Sequence, residues 1–471
     1  MNFPKARLIT LLSIAFLGAF FSANLQASSQ PPNVLFIAVD DLRPELGCYG
    51  ADHMKTPNID RLASMGTLFK RAYCNVAVCG ASRASLMSGI RPTANRFLRH
   101  TARQDEQAPD VPSLAEHFRA NGYYSISNGK IYHFSADTPE SWSEPAWKPD
   151  QGHARYLIAE NAAIAEQNPK GRGPAFEAAE VPDNAYPDGM VADKAISDLH
   201  RLKAMDQPFF LAVGFIRPHL PFNAPKKYWD LYDRNSVRQP DNHFFPLGAP
   251  EEARYTFGEL RNYSNIPDEV PISDPELRIS LRHGYYAATS FADALVGKVV
   301  DTLERLGLAE NTIIVLWGDH GWQLGEHTYW CKHTNFEVAV QVPLIIVDPR
   351  KPKGNKVNAL VEYVDIYPTL CELAGLELPG HLQGESMMPL LLDPAAPGKT
   401  AVFSRFGRGE SIRTDRYRYT AFFDGETIVS DMLYDHLADP HENINIVDIK
   451  GSEAIVETLQ STLLSHIEGR Q

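Results

Sequence analysis

The chain has 471 residues, with 58 acidic against 45 basic side chains, a formal charge of −13, and 44% hydrophobic residues. That acidity excludes a protein that wraps nucleic acid along a broad basic surface, and it requires any cations that handle an anionic substrate to be concentrated in a pocket. The length suffices for one large α/β domain and a smaller companion, since single cores stop growing at about 250–300 residues. The five cysteines, Cys48, Cys74, Cys79, Cys331 and Cys371, show no CxxC or zinc-like spacing, so no disulfide framework is indicated.

In chain order, two cations (Lys5, Arg7) precede an apolar stretch over 8–21, and small residues follow at Ala27-Ser28-Ser29. This pattern predicts a signal peptide over 1–27 and an exported, periplasmic or secreted product. The stretch is too short and too weakly flanked for a membrane anchor.

The apolar run over 34–39 then ends abruptly in Asp40-Asp41. It reads as a buried parallel strand with two carboxylates at its C-terminal edge, where sites of open α/β sheets gather. Adjacent carboxylates repel one another unless a cation neutralises them; the alternative is a solvated turn. Cys79-Gly80-Ala81-Ser82-Arg83 follows at a predicted helix start, either as a reactive group or as a small buried cysteine.

Strands are expected over 33–39, 123–127, 209–214, 312–317 and 344–347, and helices over 59–65, 82–88, 113–120, 277–306 and 366–374. Such alternation predicts a mostly parallel sheet covered on both faces. The stretches 135–188 and 222–274, rich in Pro, Gly, Asn and aromatic residues, are expected to be irregular binding loops. The strand over 312–317 ends in Gly318-Asp319-His320-Gly321. With Asp40 and Asp41, Asp319 makes an oxygen-rich shell that suits Ca2+ or Mg2+ better than zinc, and His320 is either a ligand or a structural histidine. Repeated Pro and Gly over 378–397 mark a boundary. Beyond it a small antiparallel sheet (401–406, 411–413, 416–423, 432–435) and a closing helix (452–467) are expected, giving units 28–378 and 379–471.

Several stretches together carry a resemblance to a known family. They are Cys79 to Arg83 with Ala84-Ser85-Leu86-Met87-Ser88-Gly89, Val39-Asp40-Asp41-Leu42-Arg43-Pro44, Thr56-Pro57-Asn58-Ile59-Asp60, Asn128-Gly129-Lys130-Ile131-Tyr132-His133, Gly214-Phe215-Ile216-Arg217-Pro218-His219, and Asp319-His320-Gly321-Trp322 through Lys332. Over about 33–375 this order resembles the type I, formylglycine-dependent sulfatases of the alkaline phosphatase superfamily, and the local wording is nearest the iduronate 2-sulfatase branch. The resemblance implies an alkaline phosphatase-like sandwich and Cys79 oxidised to formylglycine by a maturation enzyme. It implies a Ca2+ or Mg2+ ion held by Asp40, Asp41, Asp319, His320 and residue 79; His320 stands where many sulfatases carry Asn and this branch carries His. Ala81 in place of the commoner Pro, and Ser88 in place of Thr, depart from the pattern at small positions.

The implied chemistry is double displacement. One hydroxyl of the aldehyde hydrate attacks sulfur, the alcohol leaves with a proton, and the second hydroxyl collapses to the aldehyde and expels sulfate. Arg83 and Lys130 would hold the hydrate and sulfate oxygens. His133 would remove the proton from the hydrate, Lys332 would bind sulfate, and His219 would protonate the departing alcohol. The implied substrate is a sulfated carbohydrate, attacked at a chain end that is a 2-sulfated iduronic or related uronic residue, or an algal end such as ulvan or carrageenan. Arg99, His100, Arg103, Arg217, Trp322 and Trp330 are candidates for carboxylate or ring contacts or are structural. The rival readings are a phosphodiesterase or phosphonate monoester hydrolase of the same superfamily and a non-catalytic carbohydrate-binding pseudosulfatase.

Overall fold

A run such as Val34 to Val39, with no polar side chain, is stable as a strand only where helices cover both faces of its sheet. The computed structural model describes residues 31–256, 258–269 and 271–470 together with Met1, and there that run is a fully buried strand. Beyond Met1, the signal peptide expected over 1–27 lies outside the described residues.

Seven strands share this sheet: β1 (Asn33–Val39), β2 (Thr67–Tyr73), β3 (Tyr124–Gly129), β4 (Phe209–Phe215), β5 (Thr312–Gly318), β6 (Gln341–Val347) and β7 (Asn355–Glu362). Their order is β7-β2-β6-β5-β1-β4-β3. Every neighbouring pair is parallel except the two made by β6, which runs against both β2 and β5.

The two faces of β1 point into different cores. Val34, Phe36 and Ala38 pack with the helices Cys79–Ser88, Leu114–Ala120 and Ile366–Ala374. Leu35, Ile37 and Val39 pack with Pro57–Met65, Pro187–Lys203 and Pro275–Arg305. This is a three-layer α/β/α sandwich.

A separate antiparallel sheet follows, from β8 (Ala401–Phe406), β9 (Gly409–Thr414), β10 (Tyr417–Asp424) and β11 (Thr427–Asp435), covered by the helix Glu453–Gly469 through Leu459 and Leu463. Arg405 N donates to Asn75 O at 2.9 Å, so this sheet props the segment that leads from β2 to Cys79.

The stretches expected to be irregular are only partly so. The first contains the helix Ala159–Gln167 and the strand Phe176–Ala179, and the second contains the strand Phe222–Pro225, which pairs with it. Among the described residues, no helix is long and apolar enough to cross a membrane.

Candidate active site

The parallel register pairs Val39 with Gly318, so the residues that follow each strand end meet: Asp40 and Asp41 beside Asp319 and His320. Asp41 N donates to Asp319 Oδ1 at 3.0 Å, and Tyr285 Oη donates to Asp41 O at 2.8 Å. These bonds hold Asp41 at φ 59°, a left-handed conformation that costs a non-glycine residue about 1–3 kcal/mol and is characteristic of functional turns.

Cys79 opens the helix Cys79–Ser88, whose Ser82 Oγ donates to Asp319 O at 2.6 Å and so fixes the helix start against the β5 end. A Cβ on Gly80 would lie 2.1 Å from His100 O, so only glycine allows this approach. One turn on, Arg83 is fully buried. Its Nε donates to Asp319 Oδ2 at 2.9 Å, its Nη2 to Asp40 Oδ1 at 3.1 Å, and its Nη1 to the carbonyls of Lys130 and Ile131.

Gly129 ends β3 at φ 78°, facing Gly214 of β4, and the turn delivers Lys130 to an ion pair with Asp40 Oδ2. Lys332 reaches Asp41 Oδ1 at 3.1 Å, with its ammonium 4.9 Å from the Trp322 ring centroid. His219, in the loop after β4, brings Nε2 to 4.0 Å from Asp41 Oδ2.

His320 Nδ1 lies 3.0 Å from Gly321 O, which can only accept, so Nδ1 carries the hydrogen. Its Nε2 lone pair therefore faces Cys79 Sγ at 3.1 Å and Asp41 Oδ1 at 3.4 Å. That hydrogen bond is what sets a metal-ligating tautomer. Donor atoms of Asp40, Asp41, Cys79 and His320 all lie within 4.8 Å of one another. With Asp319 alongside, the set fits a hard divalent cation.

The electrostatics agree with that fit. Although burial opposes it, Lys130 and Arg83 hold the Asp40 carboxyl well below its ordinary range. Burial, reinforced by the charge of Asp40, pushes Asp41 well above it, which is the response of clustered carboxylates that share too few cations. Burial also pushes the Cys79 thiol up to about 12, so the encoded cysteine is protonated and a poor nucleophile at neutral pH. His133 stacks edge-on against His100 and Phe134. Burial and then Lys130 pull its pKa down to about 3, and among the described residues its buried Nδ1 has no partner.

The structure thus brings Asp40, Asp41, Cys79, Arg83, Lys130, His219, Asp319, His320 and Lys332 into one contact network. His133 belongs to its electrostatic surroundings. Glu259, which sequence reasoning did not single out, completes the network, with Oε1 2.9 Å from His219 Nε2 and Oε2 2.8 Å from Lys332 Nζ. It lies in the irregular stretch 222–274, where no periodicity or motif marks it.

Of the residues offered either as sugar contacts or as structural, three are structural. Arg217 is buried with its donors spent on the carbonyls of Asn223, His219 and His153, and Trp322 and Trp330 are sealed in an apolar core. Arg103 is paired with Asp105; Arg99 and His100 are exposed.

Comparison with known proteins follows the same lines. Residues 32–376 match the family described as Sulfatase, and residues 325–469 match the one described as N-sulphoglucosamine sulphohydrolase, C-terminal. A sulfatase from Formosa agariphila is 32% identical, over 98% of this chain and 92% of its own length. Human iduronate 2-sulfatase is also 32% identical, over 86% of this chain and 87% of its own. Among solved structures, the phosphonate monoester hydrolase of Agrobacterium radiobacter superposes with a TM-score of 0.75 at 23% identity, covering 93% of this chain and 96% of its own. At that identity the likeness shows the shared fold.

Proposed function

The chain belongs to the sulfatase family and hydrolyses sulfate esters of carbohydrates, and we propose that it does so as an exported, formylglycine-dependent enzyme acting at the end of a sulfated glycan. The observation that carries the finer reading is the position of Cys79. Its Sγ marks where an oxygen of the aldehyde hydrate would stand, against His320 Nε2 at 3.1 Å and Asp41 Oδ1 at 4.0 Å. A thiol with a pKa near 12 is inert there, whereas an oxygen nucleophile in that place is surrounded by groups suited to activate it.

Asp40, Asp41, Asp319, His320 and residue 79 would hold Ca2+ or, alternatively, Mg2+, and such an ion supplies Lewis-acid polarisation of an attacking oxygen and of sulfate. Formylglycine supplies two hydroxyls on one carbon, one to attack sulfur and the other to expel sulfate afterwards. Arg83 fixes the Asp40 and Asp319 carboxylates, which keeps the anionic ligand set in place. Lys130 and Lys332 place two ammonium groups where charge builds on the sulfate oxygens. His219 donates a proton to the departing alcohol. His133, whose Nδ1 is buried and among the described residues has no partner, is the ring assigned by the family resemblance to take the proton from the hydrate.

The sugar remains the finer part of the proposal. Likeness to iduronate 2-sulfatase over most of both chains supports a 2-sulfated uronate end, with algal ends such as ulvan or carrageenan as the alternative. The test is sulfate release from defined oligosaccharides by protein whose residue 79 is verified as formylglycine. Preference for a non-reducing-end 2-sulfated uronate supports the uronate pocket, and activity on an algal end alone moves the assignment there. Turnover of phosphonate or phosphate diesters with no sulfate release overturns the reading.

A further inference from the structure

Beside His219 lies a second concentration of positive charge that the reaction as described does not use. Residues 151–155 and 170–172 line a pocket of about 460 Å3, and among the described residues no acidic side chain lines it. Its three permanent cations are Arg155, Lys170 and Arg172, and their partners are neutral. Lys170 Nζ donates to Asn262 Oδ1 at 2.6 Å. Arg172 Nη1 donates to His153 Nε2 at 2.7 Å, and its guanidinium lies 5.5 Å from the Tyr263 ring centroid. Among the described residues, Arg155 Nη1 is buried with no partner.

In a chain of charge −13, the cations of the main pocket are each matched to a carboxylate: Arg83 to Asp40 and Asp319, Lys130 to Asp40, Lys332 to Asp41 and Glu259. Three neighbouring cations without one repel each other, and an incoming anion relieves that repulsion. The pocket's imidazole stays neutral, since His153 Nε2 must keep its lone pair to accept from Arg172.

The lobe is fastened to the main pocket. Arg217 Nη2 donates to His153 O at 2.6 Å and Arg217 Nη1 to His219 O at 2.8 Å, so one buried guanidinium sets the spacing of the two loops. The His153 and His219 rings meet edge to face with centroids 5.8 Å apart. Asn262, which holds Lys170, belongs to the short helix Leu260–Asn262 that directly follows Glu259. The cations therefore adjoin His219, and with His219 as the acid of the proposed reaction they lie next to the departing alcohol.

We infer that Arg155, Lys170 and Arg172 form a second anion subsite that takes a sulfate or carboxylate carried by the leaving part of the substrate, so that the preferred substrates bear two anionic groups on neighbouring sugars. The inference rests on the sulfatase reading for the direction of the alcohol, but the subsite itself rests on the unmatched cations.

The test compares kcat/KM for a disaccharide sulfated at its non-reducing end and again on the adjacent sugar with kcat/KM for nitrophenyl sulfate. It uses the full chain and its R155Q/R172Q double variant. The ratio of the two values should fall about 10- to 100-fold in the double variant, through KM, the size expected for losing charge-assisted hydrogen bonds. K170Q, at an exposed position where folding is not at stake, should shift the ratio in the same direction. An unchanged ratio in both variants overturns the subsite. Should the wild type release sulfate from neither substrate, the sulfatase reading fails on its own. Calorimetric binding of the disulfated disaccharide then decides the subsite: weaker binding by the variants upholds it, and equal or absent binding overturns it.

Discussion

Nε2 of His219 lies 2.9 Å from Oε1 of Glu259, while Nδ1 of the same ring lies 2.6 Å from the carbonyl oxygen of Leu220. A carboxylate and a carbonyl can only accept, so this pattern presents both ring nitrogens as donors. Against burial, Lys332 and His219 hold the Glu259 carboxyl well below its ordinary range, so it is ionised. Burial and Lys332 pull the His219 pKa down while Glu259 and Asp40 oppose that pull, so the second proton stays on the ring through its carboxylate partner and is easily surrendered. A proton held in place by geometry and destabilised by its surroundings is what a general acid requires.

His219→Asn should therefore lower kcat for a sugar sulfate by about 10²- to 10⁴-fold, the usual contribution of a positioned acid, and lower it far less for nitrophenyl sulfate, whose leaving group departs without a proton. Steady-state kinetics on the two esters decides it. An equal loss on both would remove the acid role.

Glu259→Gln tests the partner. His219 acts while protonated, so activity falls as pH rises through its pKa. Removing the anion takes away the carboxylate that favours the charged ring while Lys332, still paired with Asp41, continues to oppose it, and so lowers that pKa further. The basic limb of the kcat/KM profile should move to lower pH, by about one unit if the pair is worth roughly 1.4 kcal/mol. A limb that stays in place separates Glu259 from the acid.

Metal removal offers a readout that does not involve turnover. Chelation should lower the melting temperature, and added calcium should restore it, with a stabilisation of about 3 kcal/mol at a hundredfold excess over Kd. In Asp319→Asn, calcium should restore little. Recovery with zinc but with neither calcium nor magnesium would contradict the hard-ligand assignment.

A fourth expectation concerns the junction between the two sheets. Glu362, at the end of β7, accepts from Lys399 Nζ at 2.7 Å and from Phe403 N at 3.1 Å, and it pairs with Arg91. Burial works against its charge, but Lys399 and Arg91 bring its pKa down to about 2. A depressed carboxylate stabilises the fold above its unfolded pKa, and that stabilisation is lost as pH falls through the folded value. Glu362→Gln should cost about 2–4 kcal/mol near pH 7, read from urea midpoints, and the gap to wild type should close between roughly pH 4.5 and 2. A gap independent of pH would assign the loss to packing.

Much of this arrangement was legible in the sequence because strand ends announce themselves. Apolar runs that stop at Asp40-Asp41 and at Asp319-His320 locate the C-terminal edge of the sheet, and β1 and β5 prove to be adjacent and in register there. The strands Thr67–Tyr73 and Asn355–Glu362 were less visible. The first carries Lys70 and Arg71, and the second, at the sheet edge, mixes polar and apolar residues. Pro187–Lys203 was missed as a helix because its buried stripe, Val191, Ala195, Leu199 and Leu202, is diluted by small and charged residues. Glu259, Arg155 and Arg172 lie in loops, where chain order carries no spatial information and only the folded structure brings them to His219.

The most direct test of the central claim is the mass of the peptide that carries residue 79, taken from protein that is releasing sulfate. The account predicts the aldehyde mass in the active fraction, with activity proportional to the converted share and lost by at least about 10³-fold in Cys79→Ala, as removal of a nucleophile requires. Full sulfate release from protein whose residue 79 is entirely an unmodified thiol would contradict it.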